Sequence, residues 1–263
     1  MMRVWVTLFF GSIAFVLMGC QKTSLPRTDI PLSLGNTTVH LVIYGEHPRP
    51  WLFFNMHDDE NTAVEAGLAV VKTDGGILAT LEHSGQRLIR FQLNDSTFAV
   101  DPNRIYTDEG IRKTLEKYSQ YSPAAHRAVR RFAQRILQEL GIDTVKWVVT
   151  LHNNGENEYS VASYQPGGEY ASDASAVYRN PKMDVDDFFF VTDSTLFGAL
   201  KARNYNVVLQ NNATVTDDGS LSVYCGKAGI PYVNVEAQHG HRSAQEQMIR
   251  ELVEILSEKI TAK

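Results

Sequence analysis

The stretch Trp51–Val64 reads WLFFNMHDDENTAV, and its character changes in the middle. A run rich in large apolar residues, typical of a buried strand, stops at His57, and three acids follow at positions 58–60. From Thr62 to Val71, alanine and valine fall on one face of a predicted helix. A buried strand that leads directly into a helix is the repeating unit of an α/β domain. The histidine and the acids therefore either begin that helix or supply half of a metal site at the strand's tip.

Strands and helices are predicted to alternate along the rest of the chain. The predicted strands are Thr38–Tyr44, Pro50–Met56, Gly76–Leu81, Arg87–Leu93, Thr97–Val100, Val145–Leu151, Phe188–Thr192, Asn206–Gln210, Ser220–Tyr224 and Tyr232–Val235. The predicted helices are Thr62–Val71, Asp108–Tyr118, Ser122–Leu140, which ends at Gly141 as a C-cap, and Ser243–Ile260, with Met248, Leu252, Ile255 and Leu256 on its inner face. This pattern predicts a single α/β domain with a mixed, mostly parallel sheet flanked by helices.

The first residues of the chain have the features of an export signal. Arg3 precedes an apolar run, Val4–Met18, that is too short for a comfortable membrane span. The run ends in LMGC at residues 17–20, which resembles the bacterial lipobox. This resemblance implies cleavage before Cys20 and lipidation of that cysteine, which would attach the protein to a membrane. An ordinary signal peptide with an incidental cysteine is the alternative.

On the lipoprotein interpretation, residues 1–19 are the signal peptide, residues 20–37 are the lipidated cysteine and a tether, and residues 38–263 are the folded domain. Gln21 gives no sign of retention in the inner membrane. We therefore expect an exported bacterial lipoprotein that is held in the outer membrane and faces the periplasm.

Composition narrows the class of protein further. Without residues 1–19, whose one charged residue is Arg3, the formal net charge is −6, and the chain has no basic block. This mild acidity argues against a nucleic-acid partner. Cys225 is the only other cysteine in the chain, and a lipidated Cys20 cannot pair with it. No internal disulfide is therefore expected, and a hydrophobic core must stabilise the domain.

Three chemically active residues are predicted to stand where buried strands stop, namely His57, His152 and Glu236. His57-x-x-Glu60 alone is a weak signal, because acids at a helix N-terminus favour the helix dipole and can cap it. With His152 it completes the set of two imidazoles and one carboxylate that holds a catalytic zinc, the fourth position being left for water. A lone histidine at a strand end is otherwise a structural residue.

Two further segments can bind or process a substrate. Asp101-Pro102-Asn103-Arg104 is either a solvated turn or a site where Arg104 and Asn103 recognise a carboxylate. Glu236 ends an apolar run, where an acid is costly unless it is paired or faces a cleft. A glutamate beside a metal site is the usual general base.

These pieces together resemble the zinc carboxypeptidase superfamily, including its succinylglutamate desuccinylase/aspartoacylase branch. They follow the family's order of H-x-x-E, an Asn-Arg pair within D-P-N-R-I-Y, a strand-end histidine and a late glutamate. The resemblance implies that one zinc per chain is bound by His57, Glu60 and His152. It also implies that Asn103 and Arg104 hold the substrate carboxylate and that Glu236 is the general base.

Other family features do not transfer to unique residues. The family's carbonyl-polarising arginine is either Arg87 or Arg90, which lie on opposite faces of a predicted strand, and we assign Arg90 to substrate binding. The family's mobile tyrosine could be Tyr205, Tyr224 or Tyr232. His239 and His241 either support Glu236 or are exposed loop residues. The polar loop Tyr164–Arg179 either walls the cleft or is plain surface.

The resemblance implies a zinc-dependent hydrolase that cleaves an amide bond next to a substrate carboxylate. The expected substrate is a peptide or an N-acyl amino acid with a free carboxylate, encountered at the cell envelope. The alternative is a catalytically silent lipoprotein of the same fold that binds peptides or wall fragments. A purely structural zinc is less favoured, because structural sites have four protein ligands.

Overall fold

A computed structural model describes residues 24–261, so the predicted signal peptide and Cys20 lie outside the described residues. The strands are β1 (Arg27–Leu34), β2 (Thr37–His47), β3 (Trp51–Asn55), β4 (Gly76–Glu82), β5 (Ile89–Leu93), β6 (Ser96–Val100), β7 (Trp147–Asn154), β8 (Ala174–Tyr178), β9 (Phe188–Val191), β10 (Val207–Gln210) and β11 (Tyr232–Gln238). The α-helices are α1 (Asn61–Asp74), α2 (Asp108–Tyr118), α3 (Pro123–Glu139), α4 (Ser194–Ala202), α5 (Leu221–Ala228) and α6 (Arg242–Thr261).

Within residues 24–261, nine strands form one mixed sheet in the order β1-β2-β4-β3-β7-β11-β9-β10-β8, and β5 and β6 form a separate hairpin. The central strands β4, β3, β7 and β11 run parallel to one another, whereas β1, β2 and β8 pair antiparallel at the two edges. The predicted α/β architecture is confirmed. Because β3, β7 and β11 are parallel neighbours, their carboxyl ends meet at one edge of the sheet.

The sheet has a hydrophobic core on each face, built by alternate residues of the central strands. One core joins Leu52, Phe54, Val148 and Phe188 of the strands to helices α2, α3 and α5. The other joins Phe53, Val149, Val191 and Val233 to α1, α4 and α6, and includes the predicted inner face of the last helix, Met248, Leu252, Ile255 and Leu256. Both faces are therefore covered, and the central strands are apolar on both sides.

One predicted strand is wrong, because Ser220–Tyr224 belongs to a helix. Ser220 is the N-cap of α5, and its hydroxyl accepts a hydrogen bond from the backbone N–H of Val223 at 3.4 Å. The helix ends at Gly229, whose φ of +70° is the left-handed conformation of a C-cap. The sequence SLSV alternates polar and apolar residues and so imitates a strand, although its capping signals are those of a helix.

Several elements were not predicted from the sequence. Arg27–Leu34, assigned to the tether, instead forms β1 and pairs with β2, with Leu32 and Leu34 buried. Strand β8 lies inside the loop predicted at Tyr164–Arg179. Helix α4 is also new, and its N-cap is Asp193, whose carboxylate accepts a hydrogen bond from the Leu196 N–H at 2.8 Å. Among residues 24–261, no helix combines the length and the apolar character that a membrane span requires.

Helix α2 and the segment before α5 touch backbone to backbone. Gly110 of α2 packs so closely on Gly219 that a Cβ at Gly110 would overlap the Gly219 Cα. The Tyr106 N–H donates to the Gly219 carbonyl at 2.9 Å, which fixes the two segments together. This contact sets the position of Asp218 and Ser220, which line the cavity described below.

We expect Gly110→Ala to destabilise the protein by about 1–3 kcal/mol through overpacking, although alanine is the better helix former. The control is Gly198→Ala in α4, where a Cβ would meet nothing within 4 Å. That variant should be about 0.5–1 kcal/mol more stable than the parent. Urea unfolding measures both values, and equal stabilisation by the two substitutions would show that the Gly110 contact is not tight.

Candidate active site

The predicted ligands come together at the carboxyl edge of the parallel strands. The Nδ1 atom of His57 lies 2.7 Å from Glu60 Oε1, and the Nδ1 atom of His152 lies 2.9 Å from Glu60 Oε2. One ligand atom from each residue falls within 4.8 Å of the other two. All three side chains are buried, at 5% exposure or less.

The local chain direction explains why Glu60 reaches the imidazoles. A tight turn after β3, in which the Glu60 N–H donates to the His57 carbonyl at 3.2 Å, folds the two side chains toward each other. Glu60 occupies the N-cap position of α1 without capping it, and the Asn153 amide oxygen accepts from the Ala63 N–H at 2.8 Å instead. The acids at positions 58 and 60 therefore do not serve as helix caps.

Asp101 supports His57 from behind, a contact that sequence reasoning missed. Its Oδ1 lies 2.8 Å from the Nε2 of His57, and it also accepts a hydrogen bond from the Asn103 N–H at 2.8 Å. A carboxylate on the far nitrogen of a ligating histidine fixes the ring's tautomer and orientation. Here it directs Nδ1 of His57 toward Glu60. The signal in the sequence was an acid directly after the buried strand β6.

The charged groups of this cluster shift one another's pKa values. Burial alone would lower the pKa of His57, but the carboxylates of Glu60 and Asp101 outweigh it and raise that pKa to about 9. Burial alone would raise the pKa of Glu60, but His57 and His152 hold it well below its usual range. Glu60 is thus anionic at neutral pH and faces two ring nitrogens.

The donor set fits zinc. Two imidazole nitrogens and a carboxylate converge at distances that one small ion can span, and the ligand types suit a borderline-soft divalent metal. Asp101 supplies the supporting carboxylate that such sites use. Three protein ligands beside a cavity match a catalytic zinc site, since a structural site uses four protein ligands.

A cavity of about 790 Å³ adjoins the cluster. Its wall includes all three candidate ligands together with the predicted residues Asn103, Arg104 and Glu236. The amide oxygen of Asn103 accepts from the Leu221 N–H at 3.1 Å, and its nitrogen lies 3.4 Å from His152 Nε2. These contacts place the Asn-Arg pair between the candidate metal ligands and the first turn of α5.

Glu236 faces the same cavity and is held by a buried chain of polar groups. The Asn234 amide nitrogen donates to Glu236 Oε2 at 2.8 Å, and its oxygen accepts from the Thr150 hydroxyl at 3.2 Å. Burial, reinforced by the charge of Glu60, raises the pKa of Glu236 to about 8. Glu236 pairs in register with His152 on the neighbouring strand, which brings the acid beside the candidate ligands.

Comparison with known proteins supports the fold. No protein-family model and no curated protein matches the sequence. The structure of thrombin activatable fibrinolysis inhibitor, a member of the zinc carboxypeptidase superfamily, has a TM-score of 0.50 at 10% identity, covering 91% of this chain and 73% of that one. The chain has the zinc carboxypeptidase fold.

Two other solved structures are similar to this chain at lower TM-scores. The product-bound ectoine utilization protein EutE from Ruegeria pomeroyi has a TM-score of 0.47 at 11% identity, covering 89% of this chain and 68% of that one. An aspartoacylase family protein from Mesorhizobium loti has a TM-score of 0.44 at 14% identity, covering 88% of this chain and 66% of that one. The chain thus spans about two thirds of the length of these proteins.

Within this zinc carboxypeptidase fold, Arg87 rather than Arg90 lies at the site. Arg87 Nη1 is 3.0 Å from Glu60 Oε1 and its Nε is 3.4 Å from Asp101 Oδ2, whereas the exposed Arg90 does not line the cavity. The assignment of Arg90 to substrate binding is therefore not supported by its position. Strand β5 begins at Ile89, so the predicted alternation does not extend back to Arg87.

Asp58 fixes the loop that carries Arg87. One oxygen, Asp58 Oδ2, accepts hydrogen bonds from three successive backbone N–H groups, those of His83, Ser84 and Gly85, at 2.7, 2.7 and 2.6 Å. These contacts restrain the segment directly before Arg87. The acid next to His57 thus positions the arginine.

The remaining sequence candidates divide into two groups. Tyr164 and Tyr170 of the predicted polar loop line the cavity, as does Tyr232, so the loop does wall the cleft. Tyr205, Tyr224, His239 and His241 are not among its lining residues. His241 Nδ1 instead lies 3.2 Å from each carboxylate oxygen of Asp187.

Removal of metal should make stability depend on the protonation of Glu236. Its pKa is raised from 4.5 to about 8, so the folded metal-free protein holds a proton that the unfolded chain releases. Relative to Glu236→Gln, the parent should therefore lose stability as pH rises from 5 to 8, by about 1.4 kcal/mol per pH unit at most. Chelator-treated samples unfolded in urea at several pH values measure this difference.

The control is Glu109→Gln, which changes an exposed glutamate on α2 and should show no such trend. A difference between parent and Glu236→Gln that stays constant from pH 5 to 8 would mean that Glu236 is ionised throughout in the folded protein.

Proposed function

We propose that this chain is a zinc-dependent hydrolase that cleaves an amide bond next to a substrate carboxylate, as a carboxypeptidase or an N-acyl amino acid deacylase. The observation that carries the proposal is the buried cluster of His57, Glu60 and His152 beside a cavity that also presents Glu236 and Arg104. The fold supports it, because the aspartoacylase and carboxypeptidase neighbours are amide-bond hydrolases.

His57, Glu60 and His152 would hold the zinc, which when bound supplies a Lewis acid that acidifies water and polarises a carbonyl. Glu236 would accept a proton from the attacking water and later deliver it to the leaving amine. Its raised pKa is suited to both roles near neutral pH. The Asn234 amide oxygen accepts a hydrogen bond from Thr150, so the Asn234 amide nitrogen is turned toward Glu236 and holds its carboxylate in place.

Two arginines would recognise different parts of the substrate. Arg104 offers N–H donors to the substrate carboxylate, with Asn103 beside it as a further donor. Arg87 is held next to Glu60 and Asp101 yet is 43% exposed, so a substrate can reach its guanidinium. There it would donate to the oxygen of the carbonyl under attack, where negative charge develops.

We also propose that the mature protein is an exported lipoprotein anchored through Cys20 and that its substrates are peptides or N-acyl amino acids at the cell envelope. The support for this location is the lipobox-like sequence at residues 17–20 and the apolar run before it.

The soluble domain loaded with zinc should contain about one zinc per chain by metal analysis. His57→Ala should lose the metal. The control is His40→Ala, which should retain it, because His40 lies on β2 and pairs with Asp29 of β1. Glu236→Gln should keep the zinc and lose at least about 10²-fold in kcat. A Glu236→Gln variant that hydrolyses substrates as fast as the parent would overturn the proposed mechanism.

A screen of peptides and N-acyl amino acids distinguishes the hydrolase from the alternative, a catalytically silent binding protein of the same fold. If zinc-loaded protein binds some of them tightly and hydrolyses none, the chain is a binding protein that retains the fold.

The two arginines on either side of Ile89 provide a matched pair. Arg87→Ala should lower kcat by about 10²–10³-fold while leaving zinc content unchanged, because it removes a donor to the developing oxyanion. Arg90→Ala should leave kcat and KM unchanged, because Arg90 is exposed and does not line the cavity. Steady-state kinetics on one substrate decide the assignment, and the reverse result would restore Arg90 to the site.

A further inference from the structure

A buried glutamine, Gln245, lies behind the candidate active site and outside the cavity. It stands near the start of α6, is 0% exposed and is not among the residues that line the cavity. One turn further along the helix, Met248 and Ile249 belong to the hydrophobic core. An amide buried among apolar neighbours is costly unless its polar atoms are hydrogen-bonded. The partners of Gln245 therefore show which parts of the chain it holds together.

The amide nitrogen of Gln245 binds the two strands that carry a candidate ligand and the proposed base. Its Nε2 donates to the His152 carbonyl at 2.9 Å and to the Val235 carbonyl at 3.2 Å. His152 is the candidate ligand on β7, and Val235 directly precedes Glu236 on β11. One side chain from α6 thus joins the backbone of these two strands at the level of the site.

Asn153 extends this contact to the other side of Glu236 and to helix α1. Its Nδ2 donates to Gln245 Oε1 at 3.0 Å and to the Ala237 carbonyl at 3.2 Å. Its Oδ1 accepts from the Ala63 N–H at 2.8 Å, in the first turn of the helix that Glu60 precedes. We call Gln245 and Asn153 together the amide brace. The brace links β7, β11, α1 and α6.

The orientation of both amides is fixed by the groups around them. The four amide N–H groups face three backbone carbonyls and one side-chain oxygen, and the Asn153 oxygen faces a backbone N–H. A flip of either side chain would bring oxygen against oxygen. A buried network in which each amide nitrogen and oxygen has a partner favours one arrangement of its members.

We propose that the amide brace is a positioning device for the site, which holds His152 and Glu236 at a fixed separation and keeps Glu60 within reach of both imidazoles. The proposal rests on the proposed function for the role of Glu236. Strands β7 and β11 end only two residues beyond His152 and Glu236, so little of the sheet remains there to hold them. Gln245 acts through the backbone alone, because it does not line the cavity.

The test is Gln245→Met, which keeps an unbranched side chain of similar length and removes both donors. Zinc affinity is measured without substrate, by competition with a chromogenic chelator on protein shown to be folded by circular dichroism. We expect zinc to bind about 10–100-fold more weakly, as when other supporting groups of a metal site are removed. In the zinc-loaded variant, kcat should fall while KM stays within about twofold of the parent, because no substrate contact is lost.

The matched control is Leu252→Ala, which changes a 0% exposed residue on the same face of α6, two turns further along. Leu252 has no polar side-chain group, so this variant should lower stability in urea while zinc affinity and kcat stay unchanged. A similar loss of zinc affinity in Leu252→Ala would overturn the brace, because general destabilisation would then explain the effect.

The two members of the brace should act as a unit. Gln245→Met combined with Asn153→Ala should weaken zinc binding by much less than the product of the two single effects, since either change alone breaks the network. Single effects that multiply would mean that the two amides act separately and would overturn the brace.

The zinc measurement also keeps the two proposals separate. Weaker zinc binding in Gln245→Met supports the brace even in a chain that hydrolyses no substrate, a result that would overturn the hydrolase alone. Unchanged zinc affinity and unchanged kcat in Gln245→Met would overturn the brace and leave the hydrolase in place.

Discussion

The carboxylate of Glu60 is the contact on which the whole site depends. It receives Nδ1 of His57 and of His152, the guanidinium of Arg87, and the Asn55 amide at 3.4 Å. These groups come from β3, β7 and the loop before β5, so one buried anion joins distant parts of the chain. An unpaired carboxylate at that depth would be strongly destabilising, which explains why so many donors surround it.

The fold supplies the convergence that this anion requires. Strands β3, β7 and β11 are parallel neighbours, so residues just past their apolar runs are brought to one edge about 4.8 Å apart from strand to strand. Glu236 and His152 are register partners across β11 and β7. Glu60 then needs only the short turn after β3 to enter the cluster. The long-range geometry is thus a property of the sheet, and the local turn completes it.

The sheet brings distant residues together, and this explains which site residues could be predicted from the sequence. His57, His152 and Glu236 were found because each follows an apolar run, and parallel strands bring such positions together. Asp101 was missed because its role is a contact with His57 across 44 residues, which no local pattern encodes. Arg87 could not be told from Arg90 because the choice depends on where β5 begins.

The other differences between the predicted elements and the structure also have specific physical causes. The helix α5 was predicted as a strand because SLSV alternates, whereas its cap at Ser220 depends on a hydrogen bond that periodicity does not detect. Segment Arg27–Leu34 looked like a polar tether because only every second residue near its end is buried.

The pairing of Arg104 with Asp218 has an energetic consequence for ligand choice. In the free protein, each of these groups partly compensates the charge of the other. A ligand with a carboxylate alone would compete with Asp218 for Arg104 and leave the acid beside a second anion. Both side chains are more than a third exposed, so solvent weakens their pairing. A substrate carboxylate that binds Arg104 therefore has only a weak contact to displace.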